Sequence, residues 1–324
     1  MRGISIFTNM VTRFLPVWIL VFAVVAYFFP EPFQPLTNWT GFMLALILFL
    51  MGLTIPPSSF RYVVQQPKLV FFGVVFKWTV TVAISVGLGF YFLSDSPDLL
   101  TGFILSGSVP SATAASLYTF IANGTVLLSV TMSVVDTFIS PIVTPLLLEV
   151  TVGHLIPIEF LPLIVKMLLI VALPIVIGLV VQLKFRKLVK IVQPSVRFFS
   201  SVTLILIVLS VVSGSQALLE ENIGTLPLLV IITMLQILIP MFIAYGLAKL
   251  LKFHEQVARA ILYEAGLCNT ALAAILAIDN ISFLAAVPAV INTVLNLSLG
   301  ALIAMILANR GLQHSQEVQQ KVEE

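Results

Sequence analysis

The sequence is poor in charged residues and contains a single cysteine. Only 9% of its 324 residues are charged, against about a quarter in a soluble globular protein, and this scarcity of polar surface excludes a soluble domain. A net charge of +2 provides no basic patch for nucleic acid. Cys268 stands alone in an apolar stretch, so it cannot form an intrachain disulfide and lacks the spaced partners of a zinc or haem site.

Long apolar runs, by contrast, fill the chain. A membrane-spanning helix needs about 20 mostly apolar residues. The first run follows Arg2 and Arg13 without a small-residue cleavage site, which favours a transmembrane helix over a signal peptide. Interruptions by charge, proline, glycine and asparagine predict an all-α membrane protein with ten spans. Their approximate bounds are 13–30, 37–55, 68–94, 97–123, 125–151, 157–184, 196–216, 224–251, 256–278 and 281–309.

The positive charges lie on one side of this arrangement. Fourteen of the 16 lysines and arginines fall at the N-terminus, in alternate loops and in the tail, and eight carboxylates fall in the opposite loops, which hold no cation. Lysine and arginine concentrate in cytoplasmic loops, so both termini are predicted to be cytoplasmic. Residues 310–324 are predicted to form a frayed polar tail. The loops are too short for a further domain, so function is expected inside the bilayer.

Four charged residues remain inside the predicted spans. Lys77, Asp136 and Glu264 each lie roughly 13–18 Å from the cytoplasmic face if each residue adds about 1.5 Å of helix. That depth is near the middle of a hydrocarbon core about 30 Å thick, where ionisable groups usually face a cavity or one another. The three are predicted to form one functional site, the alternative being a buried charge cluster that only fixes helix packing. Lys166 lies near the outer end of its span, where its stem is expected to snorkel to the headgroups.

Two spans carry a helix-breaking run at the same depth. In the fourth span Pro110 lies among serine, glycine and threonine residues, and a proline removes an amide donor and clashes with the preceding turn. The helix is therefore predicted to break near 108–113. In the ninth span a small and polar run predicts a second break near 264–269. A packing notch or a kink is the alternative for either run taken alone.

The two breaks correspond when the second half of the sequence is shifted by 156 residues onto the first. The shift also places Asn292 on Asp136 and divides the ten spans into five plus five. An odd number of spans per repeat gives the halves opposite orientations. Such inverted repeats with paired broken helices are typical of secondary transporters that bind substrate at the midplane. Half-helix N-termini near Thr113 and Asn269 would direct positive dipole ends to that point, favouring an anionic substrate.

Several short motifs share the spacing of one transporter family. They are Pro67-Lys68, Pro110 with Thr113-Ala114, Gly124 followed by Leu128-Ser129-Val130, Ser140-Pro141 with Thr144-Pro145, and Glu264 with Gly266 and Asn269. On these motifs the chain resembles the bile acid:sodium symporter family over nearly its whole length. The resemblance implies transport of organic anions such as bile salts or pantoate-like acids, two sodium ions bound beside the crossing of the broken helices, and a location in a bacterial inner membrane.

The resemblance also implies two groups of spans. Spans 1, 2, 6 and 7 would form a panel, at residues 1–60 and 154–222. Spans 3, 4, 5, 8, 9 and 10 would form a core, at residues 61–153 and 223–309, followed by the tail at 310–324. Spans 4 and 9 would cross at their breaks inside the core.

The first sodium site of the family is partly retained. The family carries Ser-Asn as ligands just after the Thr-Ala of the fourth span, where this chain has Ala115 and Ser116. The other ligand candidates are present, so a sodium ion bound here is expected to contact Ser116, Ser129, Ser133 and Glu264.

The second sodium site of the family is replaced. The resemblance places glutamines where this chain has Lys77 and Cys268, and an ammonium group cannot coordinate sodium because it offers donors and no lone pair. Lys77 is predicted to substitute for the ion electrostatically, paired with Glu264, Asp136 or both. Asp136 lies on the same helix face as the two serines of its span that belong to the first site. Transport is then either sodium-independent and driven by a proton, or coupled to one sodium ion at the first site.

The polar residues that face substrate are predicted around the crossing. They are Ser111, Thr113, Asn269, Asn296 and Gln236. An interhelical hydrogen bond is the alternative for Gln236. Leu295 stands where the family carries a histidine, which removes a polar group expected for bile-salt recognition.

Other classes of function are disfavoured. An intramembrane enzyme would need paired aspartates, a Ser/His dyad or an aspartate cluster for magnesium, and Asp136 is the only aspartate deep inside a predicted span. A passive channel would need a ring of like charges or carbonyls. The sequence predicts a secondary active transporter, with a small organic anion and the lipid bilayer as partners, and no cofactor apart from a sodium ion or a proton. An ordinary sodium-coupled bile acid symporter is the alternative.

Overall fold

The computed structural model describes residues 15–156, 160–221 and 223–323, and within these ranges the chain is helical without a β-strand. Seven of the described helices are long and apolar enough to cross a membrane. They are Gln34–Gly52, Pro67–Phe92, Val126–Val152, Leu161–Lys184, Phe198–Ala217, Ile223–Leu250 and Phe283–Ala308. The predictions for Arg2 and Arg13 fall outside the described residues. The prediction of an all-α protein with several membrane spans is confirmed.

We label thirteen helices in chain order within the described ranges. α1 is Leu15–Phe28, α2 Thr40–Gly52, α3 Ser58–Gln65, α4 Pro67–Phe92, α5 Pro97–Gly107, α6 Thr113–Ile121, α7 Val126–Val152, α8 160–184, α9 Arg186–Glu221, α10 Leu226–Leu250, α11 Glu255–Gly266, α12 Thr270–Asn280 and α13 Phe283–Glu323. α4 and α8 each contain a π-helical turn, at Lys77–Thr81 and Leu168–Ala172. Short 3-10 turns, Gln34–Trp39 and Ile223–Thr225, lead into α2 and α10.

The starts of several helices follow from local sequence chemistry. α4 and α5 begin with Pro67 and Pro97. At the first position of a helix the backbone N–H has no intrahelical acceptor, so proline loses no hydrogen bond there, and its fixed φ suits a helix. α12 begins behind Asn269, whose Oδ1 accepts a hydrogen bond from the backbone N–H of Leu272 at 3.2 Å. Proline and asparagine thereby fix where these helices begin.

The chain leaves the helical conformation between α5 and α6, around Pro110, and again between α11 and α12. These two segments pair with each other. The N–H of Ala112 donates to the carbonyl of Leu267 at 2.9 Å, and the N–H of Asn269 donates to the carbonyl of Pro110 at 2.8 Å. Interrupted helices leave amide and carbonyl groups without intrahelical partners, and this short antiparallel pairing satisfies them. The two interruptions therefore lie side by side.

The interrupted segments lie at the centre of the protein. Every residue from 99 to 107 in α5 and from 258 to 266 in α11 is buried. Large exposed apolar side chains, among them Phe28, Phe42 and Leu169, lie instead on α1, α2 and the π turn of α8. Non-helical backbone at membrane depth is tolerated where protein covers it, so burial is what allows the two interruptions.

A close helix contact holds α5 in this central position. A Cβ atom at Gly102 would lie 1.8 Å from the carbonyl oxygen of Ala285 on α13. Only glycine lets the two backbones approach this closely, as in other small-residue contacts between membrane helices.

Two regions expected to be non-helical are helical. α9 begins at Arg186, so the cations at 186–197, which the sequence places in a loop, lie along its first turns. α13 continues to Glu323, so residues 310–323, which the sequence predicts as a frayed polar tail, are helical. The tail contains no proline, and its many glutamine and glutamate residues favour a helix in spite of Gly311.

Candidate functional site

Lys77 opens the π-helical turn of α4 and is fully buried. Its Nζ lies 3.6 Å from Oδ2 of Asp136 on α7, which forms an ion pair. Nζ also donates a hydrogen bond to the carbonyl oxygen of Val109, in the interruption between α5 and α6. The ammonium group is 4.1 Å from the ring centroid of Trp78, a distance at which the ring face attracts a cation. A carboxylate, a carbonyl and an aromatic face therefore surround one buried positive charge.

Asp136 is equally buried, with 1% of its side chain exposed. Its Oδ1 accepts a hydrogen bond from Nε1 of Trp78 at 2.9 Å. Its Oδ2 accepts from the backbone N–H of Ser111 at 3.3 Å and from the Ser111 hydroxyl. A buried ion pair is stable when further hydrogen bonds satisfy its remaining lone pairs, as they do here. Trp78 therefore belongs to the site, and sequence reasoning missed it although an aromatic residue beside an intramembrane lysine was a visible signal.

Glu264 lies apart from this pair and forms no ion pair with any lysine or arginine that the structure describes. Its carboxylate, fully buried in α11, accepts hydrogen bonds from the Ser133 hydroxyl at 2.8 and 3.0 Å and from the Ser129 hydroxyl. Oγ of Ser116 lies 3.1 Å from Oγ of Ser129. Glu264 is thus a buried carboxylate among hydroxyl oxygens without a fixed counter-charge, and such a group needs a cation or a proton to neutralise it.

Ser111 connects the two carboxylate-bearing helices. Its Oγ lies within hydrogen-bond distance of Oδ2 of Asp136 and 3.1 Å from the backbone carbonyl of Glu264. The sequence left open whether Lys77 pairs with Asp136, with Glu264 or with both. Among the described residues, Lys77 forms an ion pair with Asp136 and none with Glu264. We refer below to the charged cluster, which comprises Lys77, Trp78, Ser111, Ser116, Ser129, Ser133, Asp136 and Glu264.

A second polar group joins α10 to α13. Nε2 of Gln236 donates to the Ser85 hydroxyl at 2.9 Å and to the carbonyl of Phe103 at 2.8 Å. Its Oε1 accepts from Nδ2 of Asn292 at 3.0 Å. This is the interhelical hydrogen bonding considered as the alternative role of Gln236. Asn292 was not among the predicted site residues, although the 156-residue shift aligns it with Asp136.

The other predicted substrate residues have different surroundings. Thr113 is exposed in the first turn of α6, and Asn269 caps α12. Asn296 is buried and donates from Nδ2 to the carbonyl of Cys268 at 2.9 Å, while its Oδ1 has no partner among the described residues. The hydroxyl of Ser111, in contrast, belongs to the charged cluster, where it donates to Oδ2 of Asp136. The side chains with capacity left to contact substrate are those of Thr113, Asn269 and Asn296.

Two cations have partners that the sequence did not predict. Nζ of Lys166 lies 3.1 Å from Oδ2 of Asp279 and 3.4 Å from Oδ1 of Asn280, at the C-terminal end of α12. Arg259, which the sequence places in a loop, is buried in α11, and its Nη1 donates to the carbonyl of Ala122 just beyond α6 at 2.6 Å. Carbonyl groups at a helix C-terminus lack intrahelical donors and attract cations. The half-helices α6 and α12 therefore each have a cation at the end remote from the interruption.

Membrane-spanning helices that enclose ionisable groups and interrupted segments define an integral membrane transporter. The sequence profile of the Sodium Bile acid symporter family matches residues 41–222, more than half of the chain. The chain belongs to the sodium bile acid symporter family. The resemblance seen in the motif spacing is thereby confirmed, and so is the prediction of a transporter rather than an enzyme.

Curated relatives extend the similarity to nearly the whole chain. The uncharacterized sodium-dependent transporter YocS of Bacillus subtilis (strain 168) is 34% identical over 288 residues, which cover 89% of this chain and 88% of that protein. The probable chloroplastic sodium/metabolite cotransporter BASS1 of Arabidopsis thaliana is 28% identical over 303 residues, covering 91% and 73%. The probable chloroplastic sodium/metabolite cotransporter BASS2 of Oryza sativa subsp. japonica is 26% identical over 307 residues, covering 94% and 72%.

Proposed function

We propose that the protein is a secondary active transporter that takes up small organic anions by alternating access. The observation that carries the proposal is the charged cluster, in which a buried ion pair of Lys77 and Asp136 lies beside the uncompensated Glu264 where two interrupted segments meet. Ionisable groups inside membrane segments are rare and mark ion and substrate pathways. Unwound backbone between half-helices is where secondary transporters bind ions and substrate.

The helix positions support ten spans arranged as an inverted repeat of five plus five. The spans are α1, α2, α4, α5 with α6, α7, α8, α9, α10, α11 with α12, and α13. α6 and α12 begin at Thr113 and Thr270, which are 157 residues apart. α7 and α13 begin at Val126 and Phe283, also 157 residues apart. Both offsets agree with the 156-residue shift of the sequence to within one residue.

The two halves then supply a core and a panel, with both termini on the cytoplasmic side of a bacterial inner membrane. The core consists of α3 to α7 and α10 to α13, and the panel of α1, α2, α8 and α9. Lys77 on α4 pairs with Asp136 on α7, and Gln236 on α10 pairs with Asn292 on α13. These helices are the first and last core spans of each half, so the contact between them is ionic in one half and uncharged in the other.

Charge balance supports coupling to one monovalent cation. The charged cluster holds one ammonium group and two carboxylates, so Lys77 neutralises Asp136 and the charge of Glu264 remains. A sodium ion fits there because carboxylate and hydroxyl oxygens are the ligands of hard cations. Two serine hydroxyls contact the Glu264 carboxylate, and a third, that of Ser116, lies 3.1 Å from the Ser129 hydroxyl. The relatives described as sodium-dependent or sodium/metabolite transporters favour sodium over a proton.

A second sodium ion does not fit beside Lys77. Its ammonium group donates to the Val109 carbonyl, an unwound backbone oxygen of the kind that coordinates sodium in secondary transporters. Because an ammonium group has no lone pair, it can replace an ion electrostatically and cannot bind one. Lys77 thus takes the place of the second ion, and coupling uses at most one sodium ion. The alternative is an ordinary sodium-coupled symporter that binds two sodium ions.

The substrate is proposed to be a small organic acid, similar to a bile salt or to pantoate. The N-termini of α6 and α12 meet at the interruptions and present positive dipole ends to an anionic group. Thr113 is exposed there, and the free Oδ1 of Asn296 is able to accept a hydrogen bond from a substrate hydroxyl.

The test is counterflow in proteoliposomes with a radiolabelled bile salt and radiolabelled pantoate as probes. A carrier exchanges label in a saturable manner and faster when unlabelled substrate is present on the opposite side. Flux that rises linearly with the gradient, without such acceleration, would exclude a carrier. Glu264→Gln should abolish gradient-driven uptake, whereas Ser140→Ala, which removes a hydroxyl bonded to the backbone of its own helix, should retain it.

A further inference from the structure

One ion pair connects the proposed panel to the proposed core. Nζ of Lys166, on α8 of the panel, lies 3.1 Å from Oδ2 of Asp279 in the last turn of α12. It also lies 3.4 Å from Oδ1 of Asn280, the final residue of that helix. The other ion pairs among the described residues lie inside the core, and these are Lys77 with Asp136, Lys249 with Glu255, and Arg259 with Glu255.

A second contact between panel and core lies beside this ion pair. Oγ of Ser215, near the end of α9, lies 3.1 Å from the carbonyl oxygen of Phe283 and 2.7 Å from that of Val211 in its own helix. The ring of Phe283 lies against Gly214, where a Cβ atom would be 2.4 Å from it. Phe283 begins α13, three residues after α12 ends. Both contacts therefore lie at one end of the bundle, which is the outer end in the proposed topology.

We propose that the ion pair of Lys166 and Asp279 is an outer latch, which holds the panel against the core when the transporter is closed to the outside. The latch rests on the proposed function, because alternating access requires contacts between the two units to form and break at each end in turn. The C-terminal end of α12 carries a partial negative charge, which adds to the attraction of Asp279 for the ammonium group. The latch residues supply no ligand to the charged cluster.

The exposure of the pair suits a contact that opens in every transport cycle. The side chains of Lys166 and Asp279 are 32% and 26% exposed, so protein does not enclose either charge and the pair costs less to separate than a buried one. The buried pair of Lys77 and Asp136 would be far more costly to separate, and both of its residues lie inside the core.

The test is the accessibility of position 113 from each side of the membrane. Thr113→Cys in a chain with Cys268→Ala carries one thiol, because Cys268 is the only native cysteine. A membrane-impermeant maleimide is added to the outside of right-side-out vesicles that contain the full-length protein, and the labelling rate is measured. Lys166→Met and Asp279→Asn should each raise the outside rate by up to about fivefold, the factor that corresponds to loss of a surface ion pair.

Two control variants separate the latch from other effects. The exchanged variant, Lys166→Asp with Asp279→Lys, restores an ion pair and should return the rate to that of the starting chain, which a misfolded protein would not do. Lys249→Met removes a similarly exposed pair inside the core and should leave the rate unchanged. Single variants that label no faster, or an exchanged variant that labels as fast as they do, would overturn the latch. Equal labelling from both sides in every variant would instead overturn alternating access itself.

Discussion

Removing the ammonium group of Lys77 should destabilise the protein by about 3–5 kcal/mol, because it leaves one partner of a buried ion pair uncompensated. In Lys77→Met, Asp136 loses the positive charge 3.6 Å away. The carboxylate is only 1% exposed, so water cannot replace that charge. Asp136 keeps its hydrogen bonds from Trp78 and Ser111, which places the expected loss near the lower end, at about 3 kcal/mol.

The double variant Lys77→Met with Asp136→Asn should recover most of this stability. Replacing both partners of a buried pair by neutral residues of similar size is often nearly neutral, and Oδ1 of the asparagine still accepts the hydrogen bond from Trp78. The two positions should therefore show a coupling free energy of about 2–3 kcal/mol in a double-mutant cycle.

Thermal unfolding can be followed at Cys268, the only cysteine of the chain. It is 3% exposed, so a fluorogenic maleimide reacts with it when the protein unfolds. A loss of about 3 kcal/mol should lower the unfolding midpoint by roughly 4–5 °C, whereas Lys166→Met, which removes a partly exposed pair, should lower it by no more than about 2 °C. A Lys77→Met protein that unfolds at the wild-type temperature would refute the buried pair, as would a double variant that loses the sum of the two single losses.

The sodium site and the helix packing each allow a matched test. Ser133→Ala removes the hydroxyl that lies 2.8 and 3.0 Å from the two carboxylate oxygens of Glu264, and it should weaken sodium binding about tenfold in calorimetric titration, whereas Ser140→Ala should not. Gly102→Ala would place a Cβ atom 1.8 Å from a carbonyl oxygen of α13 and should cost at least about 1–3 kcal/mol in the unfolding assay, whereas Gly87→Ala, with nothing within 4 Å, should cost less than about 1 kcal/mol. Equal affinities of the serine variants, or equal stabilities of the glycine variants, would contradict these contacts.

The level of the charged cluster was predictable from the sequence because charges are so scarce in this chain. Counting residues from the loops gives depth along the membrane normal, and this placed Lys77, Asp136 and Glu264 at one level. Depth does not fix the rotation of a helix about its axis, so the sequence could not decide whether Asp136 or Glu264 is the partner of Lys77. The structure has Lys77 at the start of a π turn, and Trp78 and Ser111 supply the donors that hold Asp136 in place.

The positions of Arg259 and Lys166 illustrate what the sequence pattern leaves out. A cation near the end of a span counts as a loop or headgroup residue in a hydropathy argument. Whether it is solvated depends on which helix terminus packs against it, and the carbonyl of Ala122 and the carboxylate of Asp279 come from segments distant in sequence. Family membership needed no such knowledge, because motif spacing along the chain was sufficient and the family profile agrees with it.

The central claim is that Lys77 takes the place of one sodium ion, and a count of bound sodium tests it most directly. Equilibrium binding of radioactive sodium to the purified protein gives the number of ions per chain at saturation. We expect the wild-type protein to saturate at no more than one sodium ion, bound at Glu264 and lost in Glu264→Gln. Saturation of the wild-type protein at two sodium ions per chain would contradict the replacement of an ion by Lys77.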